Sequence, residues 1–149
     1  MTEMTDAQKV QLILGIYFRT QAAIEKFMGP ARLPEWTEHM AAMTAEATRH
    51  RFPEPRERAR SVVGNLAAVL DVYGSDHTLS EEDGRAHLEV RRCGIYDYRD
   101  KARDAGVELT LDRPCEFCVD LRNRTAAHLG VEVTHELRDR GCRWSCSLD

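Results

Sequence analysis

The stretch Val131–Leu148, VEVTHELRDRGCRWSCSL, decides the fold. Val131, Val133, His135 and Leu137 alternate with polar residues, as do Cys142, Trp144, Cys146 and Leu148. Successive side chains of a strand point to opposite faces, so each set lies on one face of a half-buried strand. A tight turn at Arg138-Asp139-Arg140-Gly141 sets the register. It pairs Leu137 with Cys142, His135 with Trp144, Val133 with Cys146 and Val131 with Leu148. All four pairs then point to the same side, and the chain is expected to end in a β-hairpin.

Upstream the period changes. Ala86, Leu88 and Val90 alternate with His87, Glu89 and Arg91, which predicts another half-buried strand leading to Cys93. Asp112 and Pro114 predict the start of a helix over 113–129, closed by Gly130, and 96–105 reads as a short helix before Gly106. The polar segment Ser75 to Gly84, including the acidic run Glu81-Glu82-Asp83, reads as a loop.

The first half reads as helical. Thr5 can cap a helix carrying Val10, Ile13, Leu14, Tyr17, Phe18, Ile24 and Phe27 at helical spacing, and Gly29-Pro30 ends it. A second helix starts after Leu33 with Pro34 in its first turn, and stops at Phe52-Pro53-Glu54-Pro55. A third runs from Arg56 to Tyr73, carries Val62, Val63, Leu66, Val69, Leu70 and Tyr73 on its apolar face, and is closed by Gly74. The expected architecture is α+β: a helical N-terminal half, residues 1–74, packed on a small antiparallel sheet. The cysteine-bearing α/β half is residues 85–149, and the whole chain 1–149 forms one domain. The broad apolar face of helix one would serve the core first, and a homodimer interface second.

At 42% hydrophobic and 31% charged the 149-residue chain has the composition of a globular domain rather than a disordered one. A net charge of −4 and a pI near 5.9 argue against nucleic-acid binding, which needs a basic face. The arginines at 49, 51, 56, 58 and 60 are interleaved with Pro53, Glu54, Pro55 and Glu57, and read as a solvated connector. Val10 to Phe18, the most apolar stretch, is too short to span a bilayer. Without an export signal the expectation is a soluble cytoplasmic protein, where its five cysteines stay reduced thiols.

Those cysteines carry the chemistry. Cys115 and Cys118 open a helix, where free amides and the helix dipole favour a thiolate and so a nucleophile or ligand. Pooling them with Cys142 and Cys146 into a zinc site fails on a regular strand. Four residues span roughly 13 Å, whereas two sulfurs on one zinc lie within about 4 Å. No cofactor is expected. His135, on the apolar face of its strand, is expected to be buried, either as a core histidine bonded to backbone or as a general acid/base facing a cavity beside Cys142 and Trp144. His77 and His87 read as exposed.

A strand ending in Cys93, a short helix, a helix with Cys115 and Cys118, and a final hairpin with Gly141-Cys142-x-Trp144 resembles the L-2-amino-thiazoline-4-carboxylic acid hydrolase family. The related 4-vinyl reductase-type small-molecule domains share a similar C-terminal layout. The likeness covers roughly Leu88 to Leu148. It implies a cofactor-independent hydrolase that opens a small sulfur- and nitrogen-containing ring. Cys93 falls where the family carries a cysteine at the strand end, and Cys118 on its cysteine-bearing helix. Gly94 stands where a proline would be typical, and Cys146 where an aromatic is common; both departures bear on substrate more than on fold. Such chemistry needs a nucleophile, an acid/base and a cation for the carboxylate. The candidates are Cys118 or Cys115 as nucleophile, with Cys93 nearby, His135 as acid/base, and Arg92 or Arg122 as carboxylate clamp. Asp120 could bind an amino group, and Trp144 and Cys142 would line the site. The competing readings are a non-catalytic small-ligand domain and a thiolate metal-binding protein.

Overall fold

The computed structural model describes residues 4–107 and 114–149, apart from the side chains of Tyr17 and Gln21. The expected cap at Asp112, the helix start at Arg113 and the side chain of Tyr17 therefore lie outside the described residues. Three helices come first: α1 (Asp6–Met28), α2 (Arg32–Arg51) and α3 (Pro55–Val72). Strands β1 (Asp76–Glu82) and β2 (Arg85–Arg92) follow, then α4 (Gly94–Asp104), α5 (Pro114–Leu129), β3 (Val133–Leu137) and β4 (Cys142–Ser147). The strands form one antiparallel sheet in the order β1-β2-β4-β3. The fold is α+β, as the change of period along the chain requires.

The final hairpin has the register read from its pattern. Leu137 faces Cys142, His135 faces Trp144 and Val133 faces Cys146. The fourth expected pair does not join the ladder, because the Val131 N–H caps α5 by donating to the Ala126 carbonyl at 2.9 Å. On the other side of β4, Ala86, Leu88 and Val90 of β2 pair with Cys146, Trp144 and Cys142.

The core lies between α3 and this sheet. Val63, Leu66 and Leu70 of α3 pack on Ala86, Leu88, Val90, Trp144 and Cys146, all buried. Cys146 belongs wholly to this core, its thiol donating to the Ala59 carbonyl at 3.3 Å. Helix α5 packs on α2, where Trp36 stacks on Phe117 with ring centroids 5.2 Å apart. Glu38 of α2 holds both Arg124 (2.8 Å) and His128 (2.7 Å) of α5. Hydrogen bonds from Arg124, first, and His128 hold the Glu38 carboxyl below its ordinary pKa.

Three expectations are corrected. Ser75 to Gly84 is not a loop: most of it is β1, followed by a turn at Asp83-Gly84 with both φ positive, 50° and 69°. That is the geometry of a two-residue hairpin turn. The strand is polar because it is a sheet edge with mostly solvated side chains, so no alternation marks it. Glu81 there pairs with Arg60 of α3. His77 and His87 are half-buried rather than exposed. Finally, α1 buries only part of its apolar surface. Leu14 and Phe18 pack on Ile95, whereas Ile13 (58% exposed), Ile16 (54%) and Phe27 (80%) face outward. Among the described residues no helix is long and apolar enough to cross a membrane.

Candidate functional site

A cavity of about 220 Å³ opens where the end of α3, the β2–α4 junction, the first half of α5 and the start of β4 meet. Four of the five cysteines line it: Cys93, Cys115, Cys118 and Cys142. The fold brings them together for separate reasons. Cys93 is the residue between β2 and α4, held by its N–H to the Arg140 carbonyl at 2.8 Å. Cys142 opens β4 opposite Val90. Cys115, Cys118 and Arg122 lie at steps of three and four residues along α5, so they share one helical face.

Burial dominates the electrostatics of this wall. It pushes the Cys118 thiol up to about 11, against the partial relief of the nearby Arg122 guanidinium. It pushes Cys142 up to about 12. Cys93 is raised as well, again chiefly by burial, and the Tyr73 hydroxyl is pushed up to about 12 for the same reason. The thiolate expected for Cys118 from its place on the helix is thereby corrected. It is the fifth residue of α5, beyond the first turn where the dipole is strongest, and desolvation outweighs the dipole. Cys115 sits in that first turn, half-buried, with its sulfur 3.1 Å from the Tyr96 hydroxyl.

Two polar atoms inside are unsatisfied. The Nε of Arg122 and the Nε1 of Trp144 are buried without a hydrogen-bond partner. Both residues line the cavity, and Trp144 is only 1% exposed. Buried donors are nearly always paired, so both are free to meet the acceptors of a ligand. No ion pair is formed by Arg122 among the described residues, unlike the surface arginines around it.

The other candidates lie elsewhere. His135 is not a buried acid/base: it sits on the edge strand β3, exposed, with its ring stacked on Trp144 at 4.8 Å and 27°. It covers the outer side of the indole and does not line the cavity. Arg92 is paired with Asp97 at the surface and does not line the cavity, whereas Arg122 does, together with Arg99. Asp120 bonds Arg124 at 2.6 Å and does not line the cavity either. Cys142 and Cys146 do not share a site, since Cys142 lines the cavity and Cys146 the core. Sequence reasoning missed Tyr73, Tyr96 and Arg99. Tyr73 had been assigned to the apolar face of helix three, and the only signal for Arg99 is its helical spacing from Ile95, which its 5% exposure makes meaningful only in three dimensions. Comparison of the chain with protein-family models and with curated proteins finds no match.

Proposed function

We propose that the cavity is the active site of a small cofactor-independent hydrolase that opens a carboxylate-bearing sulfur/nitrogen heterocycle such as an aminothiazoline carboxylate. One observation carries the reading: a thiol in the first turn of α5 and a guanidinium whose Nε has no partner share one face of that helix at an apolar cavity. Cys115 and Arg122 are seven residues apart, roughly 10 Å along the axis. Helical side chains lean toward the N-terminus, so Arg122 leans toward Cys115 and shortens that gap. A five-membered ring with one carboxylate suits the space that remains.

In this reading Arg122 binds the carboxylate and the Cys115 sulfur adds to the C=N carbon, its proton passing to the ring nitrogen. The ring C–S bond then breaks as the C=N bond re-forms, and the nitrogen's proton goes to the leaving sulfur. Water adds to the enzyme-bound carbon and releases the Cys115 thiol. The Trp144 N–H offers a donor for charge developing on the ring. Cys93, Cys118 and Cys142, held protonated by burial, form the soft, neutral wall around the ring.

The test incubates the purified chain with 2-aminothiazoline-4-carboxylate and follows thiol release, beside the variants Cys115→Ser and Cys118→Ser. The expected result is turnover lost in Cys115→Ser by at least 100-fold and largely kept in Cys118→Ser. Full activity in Cys115→Ser removes covalent catalysis. A second reading, a non-catalytic small-ligand domain of the 4-vinyl reductase type, is favoured by the raised thiols and by the position of His135 outside the cavity. Tight binding of the ring without turnover would select it. A thiolate metal-binding protein would instead be purified with stoichiometric metal.

A further inference from the structure

Helix α1 has two apolar faces, and only one of them is used. Leu14 and Phe18 point into the protein. On the far side Ile13, Ile16, Thr20, Ala23 and Phe27 follow one another at steps of three, four, three and four residues, all exposed or nearly so. That is the spacing of a seam that packs against another helix. The one hydroxyl in it is already satisfied, because Thr20 donates to the Ile16 carbonyl at 2.9 Å and can present its methyl group outward. Arg19, beside the seam, turns its guanidinium back over Gly15 toward the Tyr98 hydroxyl. The small residues Thr20 and Ala23 leave a shallow groove flanked by Ile16, Ile24, Phe27 and Met28, with Arg19 at its edge.

We infer that this seam pairs α1 with α1 of a second copy, antiparallel across a two-fold axis near Thr20. Ile13 of one copy then meets Phe27 of the other, and each two-fold contact occurs twice. The area suffices. Leu12, Ile13, Ile16, Phe27 and Met28 are each about half exposed or more. At roughly 100 Å² apiece they offer about 500 Å² of apolar surface. An interface about 60% apolar would then cover about 800 Å² per partner, the size of a standard stable interface. A lipid surface is the weaker occupant. Interfacial helices favour a polar face rich in Lys and Arg to meet anionic lipid, whereas this chain carries a net charge of −4.

Sedimentation of the full chain tests the pairing. The expected mass is twice the 17.0 kDa of one chain at micromolar concentration. Ile16→Glu is expected to sediment as a monomer with an unchanged helical spectrum, since Ile16 makes no core. Ile13→Glu and Phe27→Lys should each be monomeric alone and should form a heterodimer when mixed. A wild-type monomer at 100 µM overturns the inference. So does a dimer that survives Ile16→Glu, and so does a wild-type monomer that binds vesicles of anionic lipid.

Discussion

Replacing Arg122 by methionine should make the protein more stable and less able to hold its ligand. The Arg122 Nε is buried without a partner, and leaving such a donor unsatisfied costs about 1–3 kcal/mol. Methionine keeps the unbranched stem and suits the apolar lining, so about 1–2 kcal/mol should return to the folded state. For a chain of this size about 1 kcal/mol moves the melting temperature by about 2–4 °C, so the expected rise is about 2–8 °C. The guanidinium's help to an ionised Cys118 is not a loss near neutral pH, where that thiol, pushed up to about 11, is protonated. Binding should move the other way. A charge-assisted hydrogen bond to a carboxylate is worth about 1.5–3 kcal/mol, so a carboxylated ring should bind about 10- to 150-fold more weakly. The same ring without its carboxylate should bind the variant and the wild type equally. Scanning calorimetry gives the first quantity and titration calorimetry the others. A lower melting temperature with unchanged affinity would refute the reasoning, because Arg122 would then be a structural residue.

Alkaline pH should destabilise the protein through its cavity thiols. Cys118 and Cys142 are raised to about 11 and about 12 from an ordinary 9.0. Their stabilising contribution is thus fully present below about pH 9 and is lost as pH rises through the folded values, at up to about 1.4 kcal/mol per thiol per pH unit. Urea unfolding at pH 8 and pH 10.5 should show this loss, and the double variant Cys118→Ala, Cys142→Ala should flatten it; an equal slope in both would remove burial as its cause. Trp144→Ala empties the largest fully buried side chain and should cost about 3–5 kcal/mol in denaturant unfolding, with a cost below about 1 kcal/mol contradicting the packing. Gly94→Ala would set a Cβ 1.9 Å from the Tyr73 carbonyl oxygen, so a loss of about 3 kcal/mol or more in thermal unfolding is expected, and a neutral substitution would show that the two backbones do not meet there.

The final hairpin was legible because its pattern and its turn constrain each other: only one register puts Leu137, His135 and Val133 on the same side as Cys142, Trp144 and Cys146. The helices were legible from their caps and apolar spacing, including the Thr5–Gln8 capping box. Strand β1 was not, since a solvated edge strand has no face to alternate and only Asp83-Gly84 hinted at a turn. His135 shows the limit of a period-two argument. Alternation says which face of a strand a residue takes, and not whether anything covers that face at the sheet edge. The same holds for Ile13, Ile16 and Phe27, whose helical spacing predicts an apolar stripe without saying what it packs on. Of the site, the grouping of cysteines in the C-terminal region was legible and Arg122 was one of two equal candidates. Choosing it over Arg92 required Asp97, which neutralises Arg92 at the surface.

What assembles the cavity is two close backbone approaches, and both explain a cysteine. Cys93 precedes Gly94, where a Cβ would strike the Tyr73 carbonyl, and Cys142 follows Gly141, where a Cβ would lie 2.2 Å from the Val90 carbonyl oxygen. The first contact draws the α4 start onto the end of α3, and the second draws the β4 start onto β2. Each glycine thereby fixes the neighbouring cysteine at the wall of the cavity that Arg122 and Cys118 also line. The glycine at 94 then has a local cause. A proline ring would occupy the space of the Tyr73 carbonyl and would remove the N–H that Gly94 donates to the Ser75 hydroxyl at 2.9 Å. Gly94 therefore sets how tightly α3 closes on α4. It shapes the cavity beside Tyr73 without changing which thiols face it.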